Sequence, residues 1–144
     1  MIAKIKPSIF IALSASLAVS SLVRADDDCS AETLRGLYVF SASGFNIVSG
    51  AAQPKAITEY IKFNGDGTLT VPAATANQNG VVFRPQGGVG TYTVAPDCTG
   101  RLQFGPPGPA FDLFVTQDGS SIYMNQTGGA VPGVLQGQAK HLSN

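Results

Sequence analysis

Across its 144 residues the chain has no tryptophan, one histidine, two cysteines and few charged side chains. Asp, Glu, Lys and Arg together make up 12%, about half the usual share. Nine basic residues face nine acidic ones, so there is no positive excess to hold nucleic acid or an anionic membrane surface. The lone His141 and the two cysteines stand at no metal-ligand spacing, and no metal site is expected. CxxC pairs, Gly-rich phosphate loops and a Ser-His-Asp order are all missing, which removes the usual signatures of thiol exchange, nucleotide binding and serine hydrolysis. No cofactor is expected.

The first 25 residues read as a cleaved secretory signal peptide. Lys4 and Lys6 form a positive start, Ser8 to Leu22 an apolar stretch, and "VRA" ending at Ala25 a small-residue cleavage site. The apolar stretch is too short and too rich in serine to span a bilayer, so no membrane insertion is expected after cleavage. Removal of Lys4, Lys6 and Arg24 leaves six basic residues against nine acidic ones. Residues 26–144 then form a single domain, exported to the periplasm or beyond. In that compartment Cys29 and Cys98 are expected to pair, closing a long loop worth about 4 kcal/mol.

Abundant glycine, threonine and valine favour strands and tight turns. Eight strand-like runs follow one helical turn at Ala31 to Arg35: Gly36–Gly44, Ala56–Asn64, Thr68–Ala74, Gly90–Val94, Gly100–Phe104, Ala110–Thr116, Ser121–Thr127 and Val134–Leu142. "AITEYIKF" and "GTYTV" alternate with period two, and no window of comparable length is helical. The expected fold is all-β, an eight-stranded antiparallel up-and-down barrel, with a β-sandwich as the alternative.

The connections divide into two kinds. "NGDG" (64–67), "APDCTG" (95–100) and "QDG" (117–119) are tight turns. The segments Phe45–Lys55, Thr75–Val89, Gly105–Pro109 and Gly128–Gly133 are longer or stiffer. In a meander the tight turns all fall at one end and the long segments at the other. A Cys29–Cys98 bond would draw the N-terminal segment across the tight-turn end and seal it. The long segments would then rim the open mouth.

Several residues are candidates for chemistry. Glu59 shares the apolar face of its strand with Ile57, Ile61 and Phe63, where desolvation would raise its pKa and suit it to acid/base work. Ile57, Ile61, Phe63 and Tyr92 are expected ligand-binding residues of a mainly apolar lumen, with Arg84 in the longest loop to meet a polar group. The corresponding partner is a small apolar or amphipathic molecule. His141 lies three residues from the chain end and reads as a frayed, exposed side chain. Asp112 alternates with Phe111 and Leu113 and is expected outside. "FNGDGT" lacks the further carboxylates of a calcium loop and reads as a hairpin turn.

Taken together, "LRGLYVFSASGF", "FNGDGTLT", "GTYTVAPDCTG" and "VTQDGSSIYMNQT" resemble a group of small exported bacterial proteins with a Gly-Thr-Tyr-x-Val-x-x-Asp-Cys-Thr-Gly motif. Gly90 to Gly100 carry that motif here. Cys29, Gly36, Tyr38 and Phe40 fit a second pattern of that group, Cys-x-x-x-x-x-Gly-x-Tyr-x-Phe, with one residue of extra spacing. The resemblance implies a fold and a paired cysteine, not a reaction. At fold level the pattern is similar to the allene oxide cyclase-like barrels of the calycin type, some of which catalyse cyclisation or isomerisation without a cofactor. Three functions follow as expectations: a small-molecule-binding barrel, an isomerase or lyase using Glu59 as its acid/base, and an interaction module with a filled core.

Overall fold

The computed structural model describes residues 28–143, so the expected signal peptide, residues 1–25, lies outside the described residues. Nine strands run in chain order: β1 (Arg35–Val48), β2 (Ala51–Asn64), β3 (Thr68–Gln78), β4 (Val81–Phe83), β5 (Gly88–Val94), β6 (Thr99–Phe104), β7 (Ala110–Val115), β8 (Ser121–Gly128) and β9 (Gly133–His141). Every pairing is antiparallel. β1 pairs with both β2 and β9, and β2 pairs with β3, so eight strands close into an up-and-down barrel. β4 pairs only with the end of β3 and stands outside the ring. The closed ring replaces the sandwich alternative.

Two of the expected long loops are in fact strand. β1 and β2 stay paired out to Val48 and Ala51, turning through Ser49 and Gly50 at φ 51° and 78°. β3 continues to Gln78 and turns through Asn79 and Gly80 at φ 51° and 88° into β4. Two consecutive left-handed residues match the twist of a hairpin, and Ser-Gly and Asn-Gly tolerate them. The open end therefore carries strand hairpins where long loops were expected.

Strand alternation builds the interior. On β2, Glu59, Ile61 and Phe63 are buried while Thr58, Tyr60 and Lys62 are exposed. The β2–β3 register shifts between Tyr60 and Lys62. There Val71 and Ala74 are both buried, three positions apart, with exposed Pro72 between them. An extra residue in one strand suits proline, which has no N–H for the ladder.

The tight-turn end is sealed. Cys29 and Cys98 are disulfide-bonded, with Cα atoms 5.0 Å apart and a sequence separation of 69. Ser30 caps a single 3₁₀ turn, Ala31–Thr33, accepting from the Glu32 N–H while its own N–H donates to Thr33 Oγ1 at 3.0 Å. Leu34 follows, fully buried within the core. Tyr92 accepts from the Gly65 N–H at 3.0 Å, and its hydroxyl lies 2.9 Å from the carbonyls of both Ala31 and Leu34. Tyr38 donates to the Gly119 carbonyl at 2.7 Å, and burial pushes its phenol to about 12.

The three tight turns share one device. Asp66, Asp97 and Asp118 each accept a backbone N–H two residues on, from Thr68, Thr99 and Ser120. Hydrogen bonds from the hydroxyls of Thr68, Thr99 and Thr116, with these backbone bonds beside them, hold the three carboxyls below their ordinary range. "FNGDGT" is accordingly a hairpin turn, its Asp66 engaged with Thr68 at 2.6 and 2.9 Å. An intramolecular disulfide is consistent with an oxidising, exported compartment.

Candidate functional site

Strand periodicity places one polar ladder inside the barrel at its unsealed end. Along β2 the inward positions run Gln53, Lys55, Ile57, Glu59, Ile61 and Phe63. Ile61 and Phe63 lead into the packed core, and the other four lie toward the hairpin tips. At that end a cavity of about 410 Å³ opens to solvent. Its apolar wall comes from Phe40, Ile57, Val71, Phe83, Phe104, Phe111 and Leu135. Phe111 meets Phe40 and Phe104 edge-to-face, with centroids 5.9 and 6.0 Å apart. Gly88 keeps the wall thin: a Cβ there would lie 3.2 Å from that of Val71.

Glu59 sits on this wall between Phe40 of β1 and Ala74 of β3, and is only 8% exposed. Its carboxyl makes no hydrogen bond to another described side chain. Burial raises its pKa from 4.5 to about 7, opposed by the nearby charge of Lys55. Lys55 is half-buried and lowered by desolvation, opposed in turn by Glu59. The two attract through space but form no ion pair; among the described residues the ion pair is Arg101–Asp112, 3.6 Å apart on the outer surface.

Beside this chamber lies a smaller annex of about 200 Å³, lined by Asn46, Lys55, Gln78 and Gln126 under the segments around Pro107, Pro109 and Gly129 to Val131. Lys55, Gln78 and Pro109 border both spaces. Asn46, 4% exposed, donates to Gln78 Oε1 at 2.9 Å. Gln126 Nε2 donates to the Gly128 carbonyl at 3.3 Å, while its buried Oε1 has no partner. Wider, shallower depressions run along the outside of β5 to β7 around Thr93, Arg101 and Asp112, and neither is lined by a buried carboxylate or amine.

The expected site residues divide. Ile57 and Glu59 line the cavity. Ile61, Phe63 and Tyr92 are buried in the sealed half, where Phe63 packs edge-to-face on Tyr38 and Tyr92. Period two put them on the inner face correctly, but depth along the axis separates them from the cavity wall. Arg84 is exposed and absent from that wall, although its neighbours Phe83 and Pro85 are on it. Asp112 lies on the outer face as expected. His141 meets Tyr38 edge-to-face, centroids 4.9 Å apart, toward the sealed end, and Phe40 and Tyr38 stand between it and Glu59. Lys55, Gln78, Asn46 and Gln126 escaped the sequence reading. For Lys55 a signal existed: it shares parity with Ile57 and Glu59.

No family model, curated protein or solved structure matches the chain.

Proposed function

We propose that this protein is an exported barrel that binds one small, mainly apolar or amphipathic molecule, admitted at the hairpin end. The observation that carries the reading is the asymmetry of the interior: an open cavity of about 410 Å³ at one end, and a disulfide-tied plug at the other. That volume lies in the range of small-molecule sites, and an eight-stranded barrel is wide enough for one such ligand. The cavity speaks against an interaction module with a filled core. It also fits the fold-level resemblance to calycin-type barrels, which is analogy and assigns no residue a role.

Glu59 favours a second reading, an isomerase or lyase of the allene oxide cyclase-like type. A carboxyl near neutrality on the wall of an apolar chamber can hold or take up a proton. It stands without a second ionisable group at bonding distance, so the binding reading comes first.

Fluorescence titration with the neutral probe N-phenyl-1-naphthylamine tests the proposal. Enhancement on binding should weaken at least tenfold in Gly88→Trp, which fills the chamber, and stay unchanged in Phe114→Ser on the outer surface. Equal binding by all three proteins would place the probe elsewhere and reject the proposed entrance. Glu59→Gln separates the two readings: a binder loses affinity only a few-fold, whereas an enzyme loses turnover of the molecule that native mass spectrometry finds carried by exported protein.

A further inference from the structure

The binding proposal leaves open the sign of charge on the ligand, and the chamber contains one residue of each sign. Their depths differ. Lys55 and Glu59 are four residues apart on one strand, which at about 3.4 Å per residue separates their backbones by about 14 Å along the barrel wall. Glu59 lies on the core side, next to Phe40 and Ile61. Lys55 lies toward the hairpin tips, at the border between the apolar chamber and the amide-lined annex.

An amphipathic molecule entering an apolar chamber leads with its apolar part and leaves its polar head where water and hydrogen-bonding groups remain. Here that place is the border occupied by Lys55 and Gln78. The Lys55 ammonium forms no ion pair with a described residue. A half-buried cation of this kind gains from an anionic partner. Gln78 is held beside it by the Asn46 hydrogen bond at 2.9 Å.

Resting on the binding proposal, we infer that the ligand is a single-chain amphiphile with an anionic head, bound by Lys55 at the junction of chamber and annex, its apolar chain running inward toward Glu59. The annex gives the head room beside Asn46 and Gln126. The chain lies along Ile57, Phe104, Phe111 and Leu135.

Three probes of one chain length and different heads test this: decanoate, decanol and decylamine, each titrated calorimetrically below micelle formation. Decanoate should bind about tenfold tighter than decanol, the scale of a charge-assisted hydrogen bond, with decylamine weakest. Lys55→Met should bring decanoate down to decanol while decanol itself keeps its affinity, which also certifies that the variant is folded. Lys55→Arg should keep the preference. Equal binding of all three would overturn the inference, and decylamine binding tightest would overturn it and move the head to Glu59; both outcomes leave the binding proposal intact. Failure of all three probes together with N-phenyl-1-naphthylamine would reject both.

Discussion

The two halves of this barrel are built from the same strands yet solve different problems. In the sealed half Tyr38, Ile61, Phe63, Leu69 and Ile122 are almost wholly withdrawn from water, and the N-terminal segment closes the end through Leu34, the disulfide and the Tyr92 hydroxyl, while the Tyr38 hydroxyl ties in the turn at Gly119. In the open half the same inward positions carry Asn46, Gln53, Lys55, Glu59, Gln78 and Gln126 around an unfilled space. Apolar burial stabilises by about 25 cal/mol per Å². A charged group taken from water without a close partner opposes folding. Stability is therefore concentrated at one end, and the other end is free to hold a solute.

This contrast can be broken most directly at the disulfide. Reducing the Cys29–Cys98 bond, which spans 69 residues, should lower unfolding free energy by about 4 kcal/mol in urea denaturation. A loss below about 1 kcal/mol would mean that the plug holds without its tether. Next comes Leu34→Ala, expected to lose about 3 kcal/mol because the plug cannot collapse around the missing volume. Phe83→Ala at the exposed rim should lose under about 1 kcal/mol. Similar losses at both sites would erase the distinction between the halves.

Glu59→Gln sharpens the comparison with the opposite sign. Between the ordinary 4.5 and about 7 the folded protein keeps a proton that the unfolded chain has released, so stability is full below this window and falls as pH rises through it. The glutamine variant should flatten that fall and be more stable than the parent by about 2 to 3 kcal/mol at pH 8, measured by denaturation across pH 4 to 8. Parent and variant curves of the same shape between pH 5 and 7 would place the carboxyl in water. The smallest effect belongs to the outer surface. Asp112→Asn removes an exposed ion pair of 3.6 Å and should shift stability by less than about 0.5 kcal/mol.

Much of the sealed half was legible because its residues obey local rules. "AITEYIKF" alternates without a break, and the turns at 64–67, 95–100 and 117–119 contain the residues that such turns require. Together they gave the meander, the sealed end and the inward position of Glu59. The open half was harder for a physical reason. "FNIVSGAAQPK" contains Gly, Ala, Gln and Pro, all weak strand formers, and becomes strand only because cross-strand pairing from Phe45–Pro54 to Val48–Ala51 overrides propensity. The Asn79–Gly80 hairpin signal lay inside a segment read as loop. The candidate cavity depends on how far each inward residue sits along the axis. Alternation says which face a residue occupies but not its depth, so Ile61, Phe63 and Tyr92 were grouped with Ile57 and Glu59 although they lie deeper. Lys55 was hidden by the same loop assignment.

The pairing of β1 with β9 joins the beginning of the described chain to its end, Tyr38 standing opposite His141. Each hairpin of the meander can form from neighbours, but the seam that makes a ring cannot form until the last strand has arrived. Such distant pairings delay folding. While it waits, β1 has one unpaired edge, the kind of surface through which chains add to one another. Cys98 lies four strands ahead of the seam, so both cysteines are in place before the last strand is. With only two cysteines in the chain, the bond has one intramolecular choice and cannot be misrouted. Once formed, the cross-link shortens the path along the chain from β1 to β9, and with it the search that the final strand has to make.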